Sequence, residues 1–308
     1  MRGNTILSFF CIFTTNFSKM SVLHPFHEST PLTQADCLLV LVRQNKEFDF
    51  PEHFHREYEL NLIVNAYGAQ RIVGDHRQSI TDLELVLTGP NLPHVWKRDV
   101  CTSGNVKEYT IQFHRDLFSV DLLQRKALSE VQQLLQDSSQ GVAFSENVIH
   151  SVYDKICVLA EKSGFDAFLH LLEILHILSK NKSYTILSSV KCDAHDKRSL
   201  IMNSAYSYID NHFQEKISLQ SIASFLNMTG ITFSRIFKQK TGKTFVEFLH
   251  DYRLQYACRL LHNSQYTISE ISHLCGFNNQ AHFNRLFKAK MKCTPRDFAH
   301  ISTDVSVV

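Results

Sequence analysis

The sequence predicts an α+β multidomain chain: a β-rich N-terminal half that closes into a sandwich or barrel and is followed by helices, then an all-helical C-terminal domain. Three observations carry this. Residues 36–114 break into short runs separated by turn residues, apolar residues recur three and four apart from residue 117 onward, and the charge changes sign between the halves. The 308 residues are 44% hydrophobic, enough for two packed cores. Residues 196–308 hold 14 Lys and Arg against 8 Asp and Glu, a net of +6; the whole-chain totals of 32 and 30 leave 18 against 22, or −4, for residues 1–195. That split implies an anionic partner for the C-terminal part.

The first stretch, residues 1–20, contains the apolar run ILSFFCIF but no small-residue cleavage site after it, so it reads as an extension with Met20 as an alternative start. No later run has the length of a membrane span. The eight cysteines (Cys11, Cys37, Cys101, Cys157, Cys192, Cys258, Cys275, Cys293) form no CxxC pair. They read as small hydrophobes in a reducing compartment, which argues against a zinc finger or a disulfide framework. A cytoplasmic chain with no membrane partner is expected.

From 36 to 114 the runs CLLVLVR, YELNLIVNAYG, AQRIVGDH, SITDLELVLTGPNLPHVW and VKEYTIQF are short strands with Gly and Asp at the breaks. In PEHFHREYEL, His53, His55 and Glu59 take odd positions of a strand and so share a face, and His94 follows the turn GPNLP on what can be a neighbouring strand. Three imidazoles and a carboxylate suit a divalent transition metal, and equally a polar lining for a small molecule; no cofactor is required. Tyr58, Asn61, Arg71 and Trp96 are candidate pocket walls, with ordinary core roles as the alternative.

Between 117 and 179, LFSVDLLQRKALSEVQQLL, NVIHSVYDKICVLAEKS and FDAFLHLLEILHILS have the spacing of amphipathic helices. The last is apolar round most of its circumference and needs a second neighbour, either in its own core or in a partner subunit. KNKSYTILSSVKCDAHDK, residues 180–197, is polar and without period, as a linker is.

Everything after it reads as helix. Ser218 caps LQSIASFL, Thr229 caps GITFSRIFKQK, which stops at Gly242, and Thr244 with Glu247 boxes the start of FVEFLHDYRLQYACRLLHN. Thr267 with Glu270, and Thr294 with Pro295 and Asp297, open two more helices. A repeat runs through this region. Leu219, Ile222, Ala223 and Met228 stand opposite Ile268, Ile271, Ser272 and Phe277 at an offset of 49; Phe233, Ser234, Arg235, Phe237 and Lys238 stand opposite Phe283, Asn284, Arg285, Phe287 and Lys288 at an offset of 50.

Each copy is a short helix, a tight turn and a second helix, the spacing of a helix-turn-helix unit whose second helix enters the major groove. The candidates for base contact are Gly230, Ile231, Thr232 and Arg235 in the first copy and Asn279, Gln280, His282 and Arg285 in the second. Lys238, Lys240, Lys243, Lys288, Lys290 and Lys292 suit phosphates. Phe233, Phe237, Phe283 and Phe287, four apart, are core, and the two arginines between them can alternatively pair with acidic neighbours.

On these motifs, residues 202–298 resemble the DNA-binding domain of the AraC/XylS family of bacterial transcription regulators. ISLQSIASFLNMTGITFSRIFKQKTGKTFVEFLHDYRLQYACRLL is similar to the first family repeat with its linking helix, and YTISEISHLCGFNNQAHFNRLFKAKMKCTPRDF to the second. The N-terminal region resembles the cupin-like sensory β-barrel of many members, with His53, His55, Glu59 and His94 at the cupin metal positions. With residues 1–20 read as an extension and 181–197 as a linker, the resemblance implies an effector-sensing domain at 21–114, a helical dimerisation region at 115–180, and at 198–300 a DNA-binding domain of two helix-turn-helix units joined by a long helix. It further implies double-stranded DNA, a small polar effector such as a sugar, a second copy of the chain and, for an activator, RNA polymerase as partners. It points away from an enzyme, so no catalytic residue is assigned. The rival readings are a cupin metalloenzyme fused to a DNA-binding domain and a sequence-indifferent architectural DNA-binding protein.

Overall fold

The computed structural model describes residues 25–28, 30, 32, 36–45, 48, 50–189, 197–263, 266–299 and 305–307. The expected extension at 1–20 and residues 190–196 of the expected linker, with Cys11 and Cys192, lie outside the described residues. The chain divides into two compact units. One is built on residues 30–192 and takes in 305–307; the other is built on residues 193–303 and takes in 25–28.

The strands are β1 (Phe26–His27), β2 (Leu38–Asn45), β3 (His53–Phe54), β4 (Tyr58–Val64), β5 (Gln70–Val73), β6 (His76–Ser79), β7 (Leu83–Thr88), β8 (His94–Lys97), β9 (Val106–Phe113), β10 (Val142–Phe144), β11 (Tyr184–Ile186) and β12 (Val305–Val307). In the first unit, one antiparallel sheet runs β11-β10-β7-β4-β9-β2-β12 and a second runs β3-β8-β5-β6. Period two in β4 decides what each face of the large sheet meets. Leu60 and Leu62 join Leu85, Leu87, Ile111 and Phe113 in an outer core, while Ile63 joins Val73, Val86 and Trp96 in an inner one. Both faces are buried, which is why runs such as LLVLV show no clean alternation.

Helices cover the outer face. They are α1 (Val120–Leu123), α2 (Ser129–Asp137), α3 (Glu146–Leu159) and α4 (Gly164–Lys180). The continuous helix expected over 117–135 is instead broken at Arg125, whose backbone is extended. Its second half buries Val131, Leu134 and Leu135 and its first half Phe118, while Val120 and Leu122 are exposed. Helix α4 buries Ala167, Leu171, Ile174, Leu175 and Leu178 and leaves Phe165 and Leu169 exposed.

Strands β1, β10, β11 and β12 were not expected, and β12, which pairs with β2, lies in the stretch read as helix throughout. Strand β10 pairs with β7 and β11 pairs with β10, so Tyr184–Ile186, inside the stretch read as linker, are the edge of the large sheet. Ser188 and Ser189 are then fastened to Asp75 in the β5–β6 turn, by Ser188 Oγ at 2.7 Å and the Ser189 N–H at 3.0 Å. Gly74 beside it has φ +57°, and a Cβ there would lie 2.4 Å from Ser188 Oγ. The Ser189 and Ser188 hydroxyls hold the Asp75 carboxyl down to about 2.

In the second unit the helices are α5 (Lys197–His212), α6 (Leu219–Phe225), α7 (Gly230–Thr241), α8 (Phe245–Asn263), α9 (Ile268–Leu274), α10 (Gln280–Met291) and α11 (Pro295–Ala299). The caps fall where the sequence puts them: Ser218 Oγ takes the Ser221 N–H, Thr229 Oγ1 the Thr232 N–H and Thr267 Oγ1 the Glu270 N–H. Helix α7 ends on Gly242 and α10 on Lys292, fifty residues apart and both left-handed. Lys292 adopts there a conformation that glycine reaches without steric cost. Phe237 packs edge-on to Phe248 at 5.2 Å between ring centroids, and Phe287 to Phe298 at 5.5 Å, so the repeat extends through Thr244–Glu247 and Thr294–Asp297.

The two helix pairs meet at Arg253 of α8. Its Nε donates to Phe213 O at 2.8 Å and its Nη2 to Glu215 O at 2.6 Å. Gly276, in the turn of the second pair, closes on the same place: its φ is +78° and a Cβ would lie 2.5 Å from Phe213 O. Gly276→Ala should therefore destabilise this unit by about 1–3 kcal/mol. Gly230→Ala, where the nearest atom is a side-chain oxygen at 3.3 Å, should be neutral or stabilising. Urea unfolding followed by helical circular dichroism compares the two.

Candidate functional site

The surface formed by α7 and α10 follows from their caps. Thr229 and Asn279 satisfy backbone N–H groups at the two N-termini, which leaves the first turns projecting from the unit. Ile231 is 85% exposed, and Arg235, Gln280 and Arg285 are exposed as well. Gly230 at the first position of α7 carries no side chain to hinder approach. Lys238 and Lys288 are exposed one turn beyond the arginines. A guanidinium, a carboxamide and a sec-butyl group on projecting helix ends can read guanine, adenine and thymine methyl respectively.

Three expected base contacts have other duties. Asn279 Oδ1 accepts the His282 N–H at 3.0 Å, so its oxygen is committed to the cap and the bidentate adenine contact expected of it is not open. The Thr232 hydroxyl lies 2.9 Å from that of Thr229. His282 is half-buried, its ring 5.5 Å from His250 of α8 and 6.1 Å from Phe277, so it turns toward the linking helix instead of out of the unit. Two of the lysines assigned to phosphates also turn inward: Lys243 Nζ lies 2.6 Å from Asp251 Oδ2 and Lys290 Nζ 2.8 Å from Asp251 Oδ1. Lys292 Nζ donates to Ala289 O. The signal for this was Asp251, one of two acidic residues in helix α8, which spacing alone does not single out.

In the first unit, His53, His55, Glu59 and His94 converge, with one ligand atom from each within 4.8 Å of all the others, and all four are buried. The register explains it, since His53 on β3 is paired with His94 on β8 and Glu59 comes from the inner face of β4. Each imidazole is oriented by a backbone carbonyl at Nδ1: His53 by Pro51 O at 2.9 Å, His55 by Glu57 O at 3.2 Å and His94 by Leu92 O at 2.8 Å. A carbonyl can only accept, so Nδ1 carries the proton: a ring that is neutral in this state has its lone pair on Nε2, and one whose Nε2 also donates to the Glu59 carboxylate is an imidazolium. His55 Nε2 is 3.0 Å and His94 Nε2 3.4 Å from the Glu59 oxygens, while Gln112 Nε2 donates to Glu59 Oε2 at 2.9 Å. Burial, then the neighbouring His94, holds His53 well below the usual imidazole range. Burial opposes ionisation of Glu59, but His94 and His55 beside it hold its carboxyl well below the usual range.

Of the other expected wall residues, Asn61, Arg71 and Trp96 face this interior and Tyr58 does not. Tyr58 precedes Glu59 by one residue and so points to the opposite face, where its ring stacks on Phe113 at 5.1 Å. Asn61 Nδ2 donates to Glu108 Oε1 at 2.9 Å. Arg71 pairs with Glu84 and Gln78, and Trp96 Nε1 donates to Glu84 Oε2 at 2.7 Å. Burial raises Glu84 despite Arg71. Arg71 and Gln78 also line a 320 Å³ cavity with Phe144, Ser145, Thr185 and Leu187, at the open seam between β6 and β11.

Comparison with known proteins agrees with this geometry. A family described as a helix-turn-helix domain matches residues 222–300. The chain is 24% identical over 266 residues to the HTH-type transcriptional activator RhaS of Escherichia coli O1:K1 / APEC, covering 81% of this chain and 87% of that one. To RhaS of Klebsiella pneumoniae (strain 342) it is 23% identical over 289 residues, covering 90% and 96%. In fold it resembles ToxT from Vibrio cholerae O395, with a TM-score of 0.54, 16% identity and coverage of 85% and 98%. A duplicated and capped helix pair on a basic unit, preceded by a two-sheet unit with helices, and similarity over 81–90% of the chain to RhaS lead to one conclusion: the protein is a DNA-binding transcription regulator that resembles the AraC/XylS family.

Proposed function

We propose that the protein is a homodimeric transcription activator, working with RNA polymerase, whose β-rich unit binds a small polar effector. The observation that carries the DNA side is the pair of projecting helix ends, with Ile231 and Arg235 on one and Gln280 and Arg285 on the other, both built on α8. Arg235 and Arg285 read bases, Gln280 reads adenine, Ile231 meets a methyl group, and Lys238 and Lys288 hold phosphates.

The polarity of the effector rests on the interior of the first unit. Glu59, Asn61, Arg71, Glu84, His94 and Gln112 are all buried there. ToxT has been seen with an unsaturated fatty acid bound; an alkyl chain in the present interior would strip hydrogen-bonding groups of water without replacing it. The His/Glu cluster supports a divalent transition metal. Three Nδ1-anchored imidazoles and a carboxylate are a donor set for zinc, nickel, iron or manganese, and His94 Nε2 is buried without a hydrogen bond. His53, His55, Glu59 and His94 would hold the ion, which when bound supplies a Lewis-acidic anchor for an effector oxygen. The dimer rests on α4, where Phe165 and Leu169 form an exposed apolar stripe continued by the half-buried Leu172.

Footprinting on DNA flanking the gene tests the regulator, with protection in paired blocks as the expected result. Arg285→Ala or Gln280→Ala should cost about 1–3 kcal/mol on that DNA and little on random DNA, whereas Lys288→Ala should weaken both. Protein dialysed against cobalt(II) should retain about one equivalent per chain by elemental analysis, and His94→Ala should lose it; retention by the variant would remove the cluster from consideration. Phe165→Glu with Leu169→Glu should shift the protein from dimer to monomer in sedimentation velocity.

A further inference from the structure

We propose that Asp251 is a positioning residue that sets the separation at which the two recognition helices meet DNA. Asp251 is 4% exposed and lies in the second turn of α8, the helix that carries both units. Its two carboxylate oxygens face two ammonium groups: Lys243, just past the C-terminal end of α7, is hydrogen-bonded to Oδ2 at 2.6 Å, and Lys290, in the last turn of α10, forms an ion pair with Oδ1 at 2.8 Å. The trailing ends of both recognition helices therefore converge on one buried carboxylate.

The adjacent residue fixes the other end of α10. His250 meets His282, in the first turn of α10, at 5.5 Å. His282 and Lys290 are eight residues apart and so lie on one face of α10, two turns from each other. Neighbouring residues of α8 thus hold α10 near both ends, which defines its direction as well as its position. The aliphatic contacts of the second helix pair lie farther along α8, at Leu254, Ala257, Cys258 and Leu261, and at this end the pair's core contributes the Phe277 ring, stacked on His250 at 6.1 Å.

An isolated buried charge is strongly unfavourable, and removing the carboxylate would leave two ammonium groups facing each other. They would separate toward solvent and free the trailing end of α10, while the aromatic core under it remains. The recognition surfaces would survive and their mutual geometry would not. Lys243 and Lys290 act here as ties, so their loss should alter spacing more than charge-driven affinity.

The test is selection of binding sites from a random DNA library by the full-length protein. The wild type should enrich two short motifs at one separation. Asp251→Asn should enrich the same two motifs over at least two adjacent separations, with affinity at the original one falling about tenfold. Lys290→Met, at a partly exposed position that tolerates substitution, should do the same, and the double variant should add little to either change. Retention of a single separation by both variants, whatever their affinity or melting temperature, would show a purely structural ion pair and overturn the proposal. Additive losses in the double variant, or a wild type that enriches no paired motif, would do so too.

Discussion

Aromatic packing against the single helix α8 is the interaction on which the DNA-binding unit depends. Phe245 and Phe248 at its start complete the core of the first helix pair with Phe233 and Phe237, and Leu254, Ala257, Cys258 and Leu261 complete that of the second with Phe283 and Phe287. Each pair is too small to bury its apolar face alone. Sharing α8 solves this for both and makes the distance between them a property of one rigid rod. Arg253 and Gly276 bring the pairs into contact from the side, where carbonyls of the connection after α5 are taken up by Arg253.

The first unit solves a different problem. Its large sheet is buried on both faces, yet the inner face carries carboxylates, amides and imidazoles. Each of these costs free energy unless it finds a partner, and most do: Arg71 with Glu84, Trp96 with Glu84, Gln112 with Glu59. The imidazoles of the His/Glu cluster are held from outside, through backbone carbonyls, as well as by Glu59 within it. An arrangement of that kind fixes where lone pairs point before anything binds to them.

Much of this was legible in the sequence, for reasons that are local. A cap needs a hydroxyl and a residue three positions on, so Ser218, Thr229, Thr244, Thr267 and Thr294 announced their helices, and a repeat of phenylalanines four apart announced two similar cores. Period two put His53, His55 and Glu59 on one face of one strand, whereas the chain bends at Arg56 and Glu57 and brings His53 on β3 and Glu59 on β4 together from different sheets. The same rule, applied to Tyr58, would have sent that side chain to the outer face, and it was missed because residue type was weighed above register. Strands β10 and β11 were illegible because three residues have no period and their pairing partner is more than fifty residues away for β10 and about forty for β11. The fate of Lys243 and Lys290 depends on a partner whose proximity only the folded helices create.

The position of β10 and β11 bears on how the chain is made. Strand β10 precedes α3 and β11 follows α4, so the edge of β7 stays unpaired while more than fifty residues after Thr88 are still to be synthesised. During that interval a nascent chain presents an apolar strand edge, Leu85, Val86 and Leu87, of the kind that pairs with other chains. Helices α1 and α2 thus stand ahead of β10, and α3 and α4 ahead of β11, in time as well as in sequence, and a polypeptide stopped near residue 114 would keep that edge permanently open.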